Sequence, residues 1–407
     1  MLMYKLVWKL LIVIFFIFGL LVLQDSRQSL SGFRSIIFGY VPIFISILFF
    51  FLKNKKAFVA VATNSLLLGF ITFSIYEVFL IKKNSVTENS NVAHENQWCG
   101  SAFTSLNNLE LYPLGSISNK NKKFINTLNG SVSYRPNDRY GFNNDNKVWD
   151  LKKIHSVFIG DSFTYGADVN YFESFVAQYQ NTFKSSINLG CEGAGPIIEL
   201  AIFKEYVKNL KLKPKYIFWV YYGNDIAKDI IKENNSFYQN YLNNNFTQNL
   251  SKRQKEINAI INQYKIQENL SANNLKIDTR KKIIYSNFFK FSNLRSELGF
   301  SHAFSRENFK IFKRILGEVN NEVNLWNGEL IFVSIPSPNR YIRPLGILDE
   351  QSYDQNIKKF LKAQKIESIY LHDEFKKYKN PLIFYSGHLN FEGNKILSSL
   401  IIKKIKN

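Results

Sequence analysis

Residues 10–23, 35–52 and 57–76 are three apolar runs without an acidic or basic side chain. A helix that crosses a bilayer needs about 20 mainly apolar residues. The second and third runs meet that length, and the third continues through Glu77 to residue 81. The first reaches it through Leu6, Val7 and Trp8 if the Lys9 ammonium snorkels to the interface. A cleaved signal peptide would need small residues after its apolar core, but Gln24-Asp25-Ser26-Arg27 follows. Residues 1–82 are therefore expected to form a membrane region of three transmembrane helices embedded in the lipid bilayer. Lys5 and Lys9 precede the first run, and Lys53, Lys55 and Lys56 separate the second from the third. The positive-inside rule puts these lysines, and the N-terminus, in the cytoplasm. Arg27, Arg34, Lys82 and Lys83 pull weakly the other way. The expected localisation is a multi-pass protein of a bacterial inner membrane, with the rest of the chain periplasmic or otherwise extracytoplasmic.

The formal net charge of +20 raises the question of an anionic partner. No zinc-finger spacing and no aromatic-basic RNA-binding signature accompanies it. The lysines are scattered through Asn- and Ile-rich segments, as on a solvated surface, and no nucleic-acid partner is expected. Cys99 and Cys191 have no metal-ligand spacing. Whether they pair is left open, and no metal or organic cofactor is expected.

Residues 83–131 are polar, rich in Asn and Ser, and read as a linker or lead-in. From residue 154 strand and helix signals alternate. Strands are predicted at 154–159, 186–189, 216–221, 329–335 and 368–371. Helices are predicted at 171–183, 196–210, 306–324, 354–365 and 391–405. Pro196 stands at an allowed first-turn position and Asn390 at an N-cap. A polar stretch at 227–301, with a helix near 252–267, reads as an insertion. Such alternation predicts an α/β domain over residues 132–407, built on a mostly parallel sheet covered on both faces. Ligands of such sheets bind beyond the carboxyl ends of the strands. Gly160-Asp161-Ser162, Asn188-Leu189-Gly190 and Gly223-Asn224-Asp225 all stand at such ends, and Gly387-His388-Leu389-Asn390 precedes the last helix.

Ser162 is not in a Gly-x-Ser-x-Gly elbow. Four blocks instead resemble the SGNH, or GDSL-type, hydrolase superfamily: GDSFTYG with Ser162, INLGCEGAGP with Gly193, YYGNDI with Asn224 and SGHLNFEGN with His388. RPNDRYGFNND, over residues 135–145, looks like the lead-in of membrane-anchored relatives, and FVSIPSPNRY like a later strand and loop. The resemblance covers residues 132–407 and implies a three-layer, flavodoxin-like domain. It implies Ser162 as nucleophile, His388 as base, and an oxyanion hole from the Ser162 and Gly193 backbone N–H groups and the Asn224 side chain. It also implies an esterase or O-acyltransferase acting on acylated envelope polysaccharide or lipid.

The chain departs from that pattern in one place. Ser386 and Tyr385 stand where relatives carry the Asp that orients the histidine. The alternatives are a Ser–His dyad, with Ser386 or Asp161 in support, or a carboxylate from elsewhere, with Asp373 and Asp349 as candidates. A further alternative is an envelope protein that binds glycan or partners without catalysis.

Overall fold

The structure is a computed structural model. It describes residues 71–80, 99–125, 132–208, 210–271, 305–342 and 346–407, with isolated positions before residue 71. The apolar runs otherwise lie outside the described residues. Among the described residues no helix is long and apolar enough to cross a membrane.

The chain divides into two units. One comprises Met1–Ser90, Leu275–Glu307 and Ile342–Ile357. Residues 71–80 of this unit are helical, as are its residues 346–357. The other unit comprises Asn91–Asn274, Asn308–Tyr341 and Lys358–Asn407, and all that follows concerns it.

Its elements begin with an antiparallel pair, β1 (Lys122–Ile125) and β2 (Val132–Arg135). Five parallel strands follow: β3 (Ser156–Gly160), β4 (Ser186–Gly190), β5 (Tyr216–Tyr221), β6 (Glu329–Ser334) and β7 (Glu367–Tyr370). The order across the sheet is β4-β3-β5-β6-β7. This is the doubly wound 2-1-3-4-5 order, whose topological switch point lies beside its first strand, here β3. Every residue of β3, β4 and β5 is buried. Parallel strands covered on both faces have no solvent side, so β3 and β5 run almost wholly apolar, whereas β4 buries Ser186 and Asn188 with their side chains hydrogen-bonded to the Phe183 and Thr164 carbonyls.

Helices supply the two outer layers. On one face Phe158, Phe218, Val220, Ile331 and Val333 meet Phe175, Val176 and Tyr179 of α2 (Phe175–Thr182). Leu397 and Ile401 of α8 (Phe391–Lys406) complete that layer. On the other face Phe312 of α6 (Arg306–Asn324) packs on Tyr221 and Phe332, with ring centroids 5.7 and 6.3 Å away. The remaining helices in chain order are α1 (Ser162–Tyr165), α3 (Pro196–Ile202), α4 (Ile230–Asn234), α5 (Gln254–Ser271) and, from Lys358 on in this unit, α7 (Gly346–Ala363). A π-helical turn, Phe203–Val207, continues α3.

The polar stretch expected to be an insertion is anchored in this core over its first half. Tyr238, Tyr241, Leu250, Ile257 and Ile261 are fully buried. Buried Glu205 holds the segment, accepting hydrogen bonds from Tyr241, Thr247, the Gln248 N–H and the Leu250 N–H. Lys204 donates to the carbonyls of Tyr241 and Asn243 and pairs with Glu318 at 2.7 Å. Residues 272–304 lie outside the described residues.

Cys99 and Cys191 form a disulfide across a sequence separation of 92. On the chain-entropy account, closing a loop of that length contributes about 4–5 kcal/mol to stability. The bond ties the segment before residue 100 to the turn that leaves β4.

Candidate active site

The strand order places three strand ends side by side. Ser162 follows β3 in the middle, with Gly193 after β4 on one side and Asn224 after β5 on the other. Asp161 caps α1, accepting the Phe163 N–H at 2.9 Å. This makes a sharp turn, and Ser162 becomes the first residue of a one-turn helix, where its backbone N–H has no intrahelical acceptor.

The fourth sequence block arrives on a hairpin, β8 (Tyr385–Ser386) and β9 (His388–Leu389). Gly387 turns it with φ +92°, a conformation that favours glycine. Its position is fixed from two sides. Tyr385 donates its hydroxyl to the Pro336 carbonyl at 2.7 Å, beyond β6. Asn394 donates to the Leu389 carbonyl and accepts from the Phe175 N–H, which ties the hairpin to α2.

His388 Nε2 stands 2.8 Å from Ser162 Oγ. On the opposite side of the ring, Nδ1 stands 2.8 Å from Asp168 Oδ2. The same carboxylate oxygen accepts the His388 backbone N–H at 3.1 Å. A carboxylate can only accept, so Nδ1 carries the proton and Nε2 is left to accept from Ser162. Asp168 thus holds both the ring and the main chain of His388. It reaches there because α1 stops after one turn at Gly166, and Asp168 itself adopts φ +66°.

This geometry corrects the sequence reading of the third member. Asp168, six residues after Ser162 in sequence, occupies the place assigned to a missing acid, so the pair is not an isolated dyad. Asp373 is exposed and pairs with Lys376 at 2.8 Å. Ser386 pairs with His388 as its strand neighbour. Asp161 braces the turn under Ser162 and does not orient the imidazole. The Asp349 side chain lies outside the described residues.

The electrostatics suit the arrangement. Burial alone would raise the Asp168 carboxyl, but the His388 contacts and the Arg135 charge outweigh it and hold the group below the ordinary carboxylate range. Burial alone would lower His388, yet the Asp168 hydrogen bond and charge, with Asp161 and Glu192, raise it above the ordinary imidazole value.

The flanking donors are braced as well. Gly193 is exposed, with φ +70°, and a Cβ there would meet Ser101 Oγ at 2.9 Å. Ser101 donates to the Glu192 carbonyl at 2.7 Å, and Cys191 is held by the disulfide. Asn224 gives one amide hydrogen to Asp229 Oδ2 at 2.6 Å, which sets the amide orientation and leaves the second hydrogen for a ligand. Asp229, like Asp168, was not singled out in the sequence, because nothing in its local pattern marks its role.

Behind the site lies a row of buried carboxyls: Asp161, Glu199, Asp225 and Glu233. Glu233 accepts the N–H groups of Gly195, Ile197 and Ile198 at the start of α3, at 2.5, 2.9 and 3.4 Å. Among the described residues no group of His, Cys, Asp and Glu side chains is arranged to hold a metal ion. Burial pushes Glu233 up to about 8, from an ordinary 4.5, and Asp161 up to about 7. A carboxyl raised on folding leaves its stability whole below its unfolded value and loses it as pH rises through the folded value. For Glu233 that window runs from 4.5 to about 8. The melting temperature of the full chain in detergent should therefore fall as pH rises from 5 to 8. Glu233→Gln should flatten the slope. A melting temperature rising over that window would contradict the buried-carboxyl account.

No protein-family model matches the chain, and no curated protein matches it. Among solved structures, the chain is similar to a lipolytic protein of the G-D-S-L family from Veillonella parvula. That match has 13% identity and a TM-score of 0.37, over 62% of this chain and 99% of the other. A lipase/acylhydrolase from Enterococcus faecalis matches at 14% identity and a TM-score of 0.36, over 62% of this chain and 95% of its own. A variant of an acetyl-xylooligosaccharide esterase from Geobacillus matches at 12% identity and a TM-score of 0.36, over 63% and 97%. The assignment of roles at the site rests on the distances among Ser162, His388 and Asp168.

Proposed function

We propose that this chain is a membrane-anchored serine ester hydrolase or O-acyltransferase of the SGNH type. The observation that carries the reading is the continuous hydrogen-bond chain Ser162–His388–Asp168 at the carboxyl end of a doubly wound sheet. A serine becomes a nucleophile when a base takes its proton and donors receive the oxyanion. Ser162 Oγ attacks the ester carbonyl carbon as its proton passes to His388 Nε2. The oxyanion sits among the Ser162 N–H, the Gly193 N–H and the Asn224 amide. Collapse expels the alcohol, which leaves with the proton from His388. The acyl-serine is then attacked by water or by another hydroxyl, whose proton returns to His388. Attack by water gives a free acid and attack by a sugar hydroxyl gives a new ester, so hydrolysis and transfer share every residue.

The apolar runs at 10–23, 35–52 and 57–76 support anchoring in a membrane. The Cys99–Cys191 bond supports a catalytic unit outside the cytoplasm, where disulfides persist. Acylated glycan or lipid of the envelope is the substrate class such a location favours. The non-catalytic alternative rests on the lack of an acid beside His388 in sequence, and the His388–Asp168 hydrogen bond weighs against it.

The test uses full-length protein in detergent with 4-nitrophenyl acetate and butyrate and with an O-acetylated glycan. We expect acid release by the wild type that Ser162→Ala lacks, and diversion of the acyl group to added sugar if transfer dominates. Folded wild type no faster than Ser162→Ala on every substrate would overturn the reading.

A further inference from the structure

The lead-in RPNDRYGFNND is unused by the chemistry above, yet its Arg135, Asn137, Asp138, Asn143 and Asn144 are buried. It braces itself around Asp138, which accepts the N–H groups of Tyr140 and Phe142, the Trp149 indole and the Asn144 amide. It also grips the sheet, because Asn144 exchanges two hydrogen bonds with the Asn188 main chain in β4.

Arg135, at its start, is 1% exposed. Its Nη2 donates to the Val169 carbonyl at 3.1 Å. Its guanidinium lies over the Tyr165 ring, 5.3 Å from the centroid. Asn143 adds a bond to the Tyr165 carbonyl at 2.5 Å. Tyr165 and Val169 bracket the turn Gly166-Ala167-Asp168, so Arg135 contacts both ends of the segment that presents Asp168. That segment needs holding. Asp168 has φ +66°, a left-handed conformation that is uncommon outside glycine, although aspartate tolerates it better than most residues.

We propose that Arg135 is the positioning residue of the triad acid, clamping the 165–169 turn so that Asp168 meets both the ring and the backbone N–H of His388. The inference rests on the catalytic reading of Ser162, His388 and Asp168. The clamp requires a guanidinium. Its planar fork donates to a carbonyl while its face covers an aromatic ring, and a lysine ammonium cannot do both. The Arg135 charge also helps keep Asp168 ionised. The charged groups facing His388 are Asp168, Asp161 and Glu192, and those facing Asp168 are His388 and Arg135. Losing the clamp therefore acts on His388 through Asp168. A His388 that stays half-buried but loses its carboxylate partner titrates lower.

The test measures the rate at which a fluorophosphonate probe phosphonylates Ser162 with loss of fluoride, from pH 4 to 9, in full-length wild type, Arg135→Met and Arg135→Lys, with a thermal melt of each. In Arg135→Met the plateau rate should fall about a hundredfold, the scale of a misplacement of about 1 Å. Its midpoint should move to lower pH. Arg135→Lys, which keeps the charge but not the fork, should recover part of both the rate and the midpoint. A folded Arg135→Met with wild-type rate and midpoint would overturn the inference. So would a lowered melting temperature with rate and midpoint unchanged, since that marks a purely structural arginine. If Arg135→Met does not fold, Arg135→Lys decides by the same two readings. A wild type that does not label at all removes the catalytic reading itself, an outcome distinct from failure of the clamp.

Discussion

Asp168→Asn should slow ester hydrolysis by about four orders of magnitude and leave the fold in place, the scale seen when a triad acid becomes an amide. The reason is the tautomer. Asp168 Oδ2 accepts from Nδ1 of His388 and so leaves Nε2 free to receive the Ser162 proton. An asparagine turned to donate toward Nδ1 reverses that assignment, and Nε2 then carries a proton and cannot act as a base. The carboxylate is also lost as a counter-charge for the imidazolium that forms during attack. The measurement is kcat for 4-nitrophenyl acetate in full-length wild type and variant, with melting temperatures to confirm folding. A folded Asp168→Asn within tenfold of wild type would mean that Ser162 and His388 work as a dyad after all.

Ser162→Ala and His388→Ala should each lower kcat by about a millionfold, and the double variant should be no slower than either single. Ser162 and His388 act as one unit, joined by a 2.8 Å hydrogen bond. Without the base the hydroxyl is an ordinary alcohol, and without the hydroxyl the base has no nucleophile to serve. Any residual rate would belong to the proposed oxyanion donors at Gly193 and Asn224, which neither substitution removes. Additive losses in the double variant would show that His388 assists the reaction independently of Ser162. That result would count against the hydrogen-bond chain as the catalytic unit.

The sheet was legible because its strands are covered on both faces. Residues 216–221 and 157–159 run apolar without alternation, 186–190 buries Ser186 and Asn188 among apolar residues, and predicted strands and observed ones agree to within about two residues. The long helix over 306–324 was equally plain from its apolar stripe. Less was visible where polar side chains do the holding. Tyr238 and Tyr241 sit in an Asn-rich stretch that reads as surface, and they are buried only because Glu205 and Lys204, distant in sequence, satisfy that stretch's backbone. The disulfide depends on the approach of two segments 92 positions apart, which spacing alone does not reveal.

The site divides the same way. Ser162, Gly193, Asn224 and His388 announce themselves because each falls in a short glycine-containing block at the end of an element. Asp168 does not, because its role depends on a one-turn helix ending at Gly166 and on a left-handed residue that brings the chain back toward a hairpin 220 positions away. Gly166 was the available signal. A glycine four residues after the serine marks the early end of the helix and puts the next few side chains within reach of the serine. Asp229, which orients Asn224, left no such mark.

The central claim is that Ser162 is an activated nucleophile. The most direct measurement is to treat folded, full-length protein at neutral pH with a fluorophosphonate and locate the adduct by peptide mass spectrometry. One adduct is expected, on the peptide that carries Ser162, and none in Ser162→Ala. No adduct on the folded protein, or one on a different serine, would contradict it.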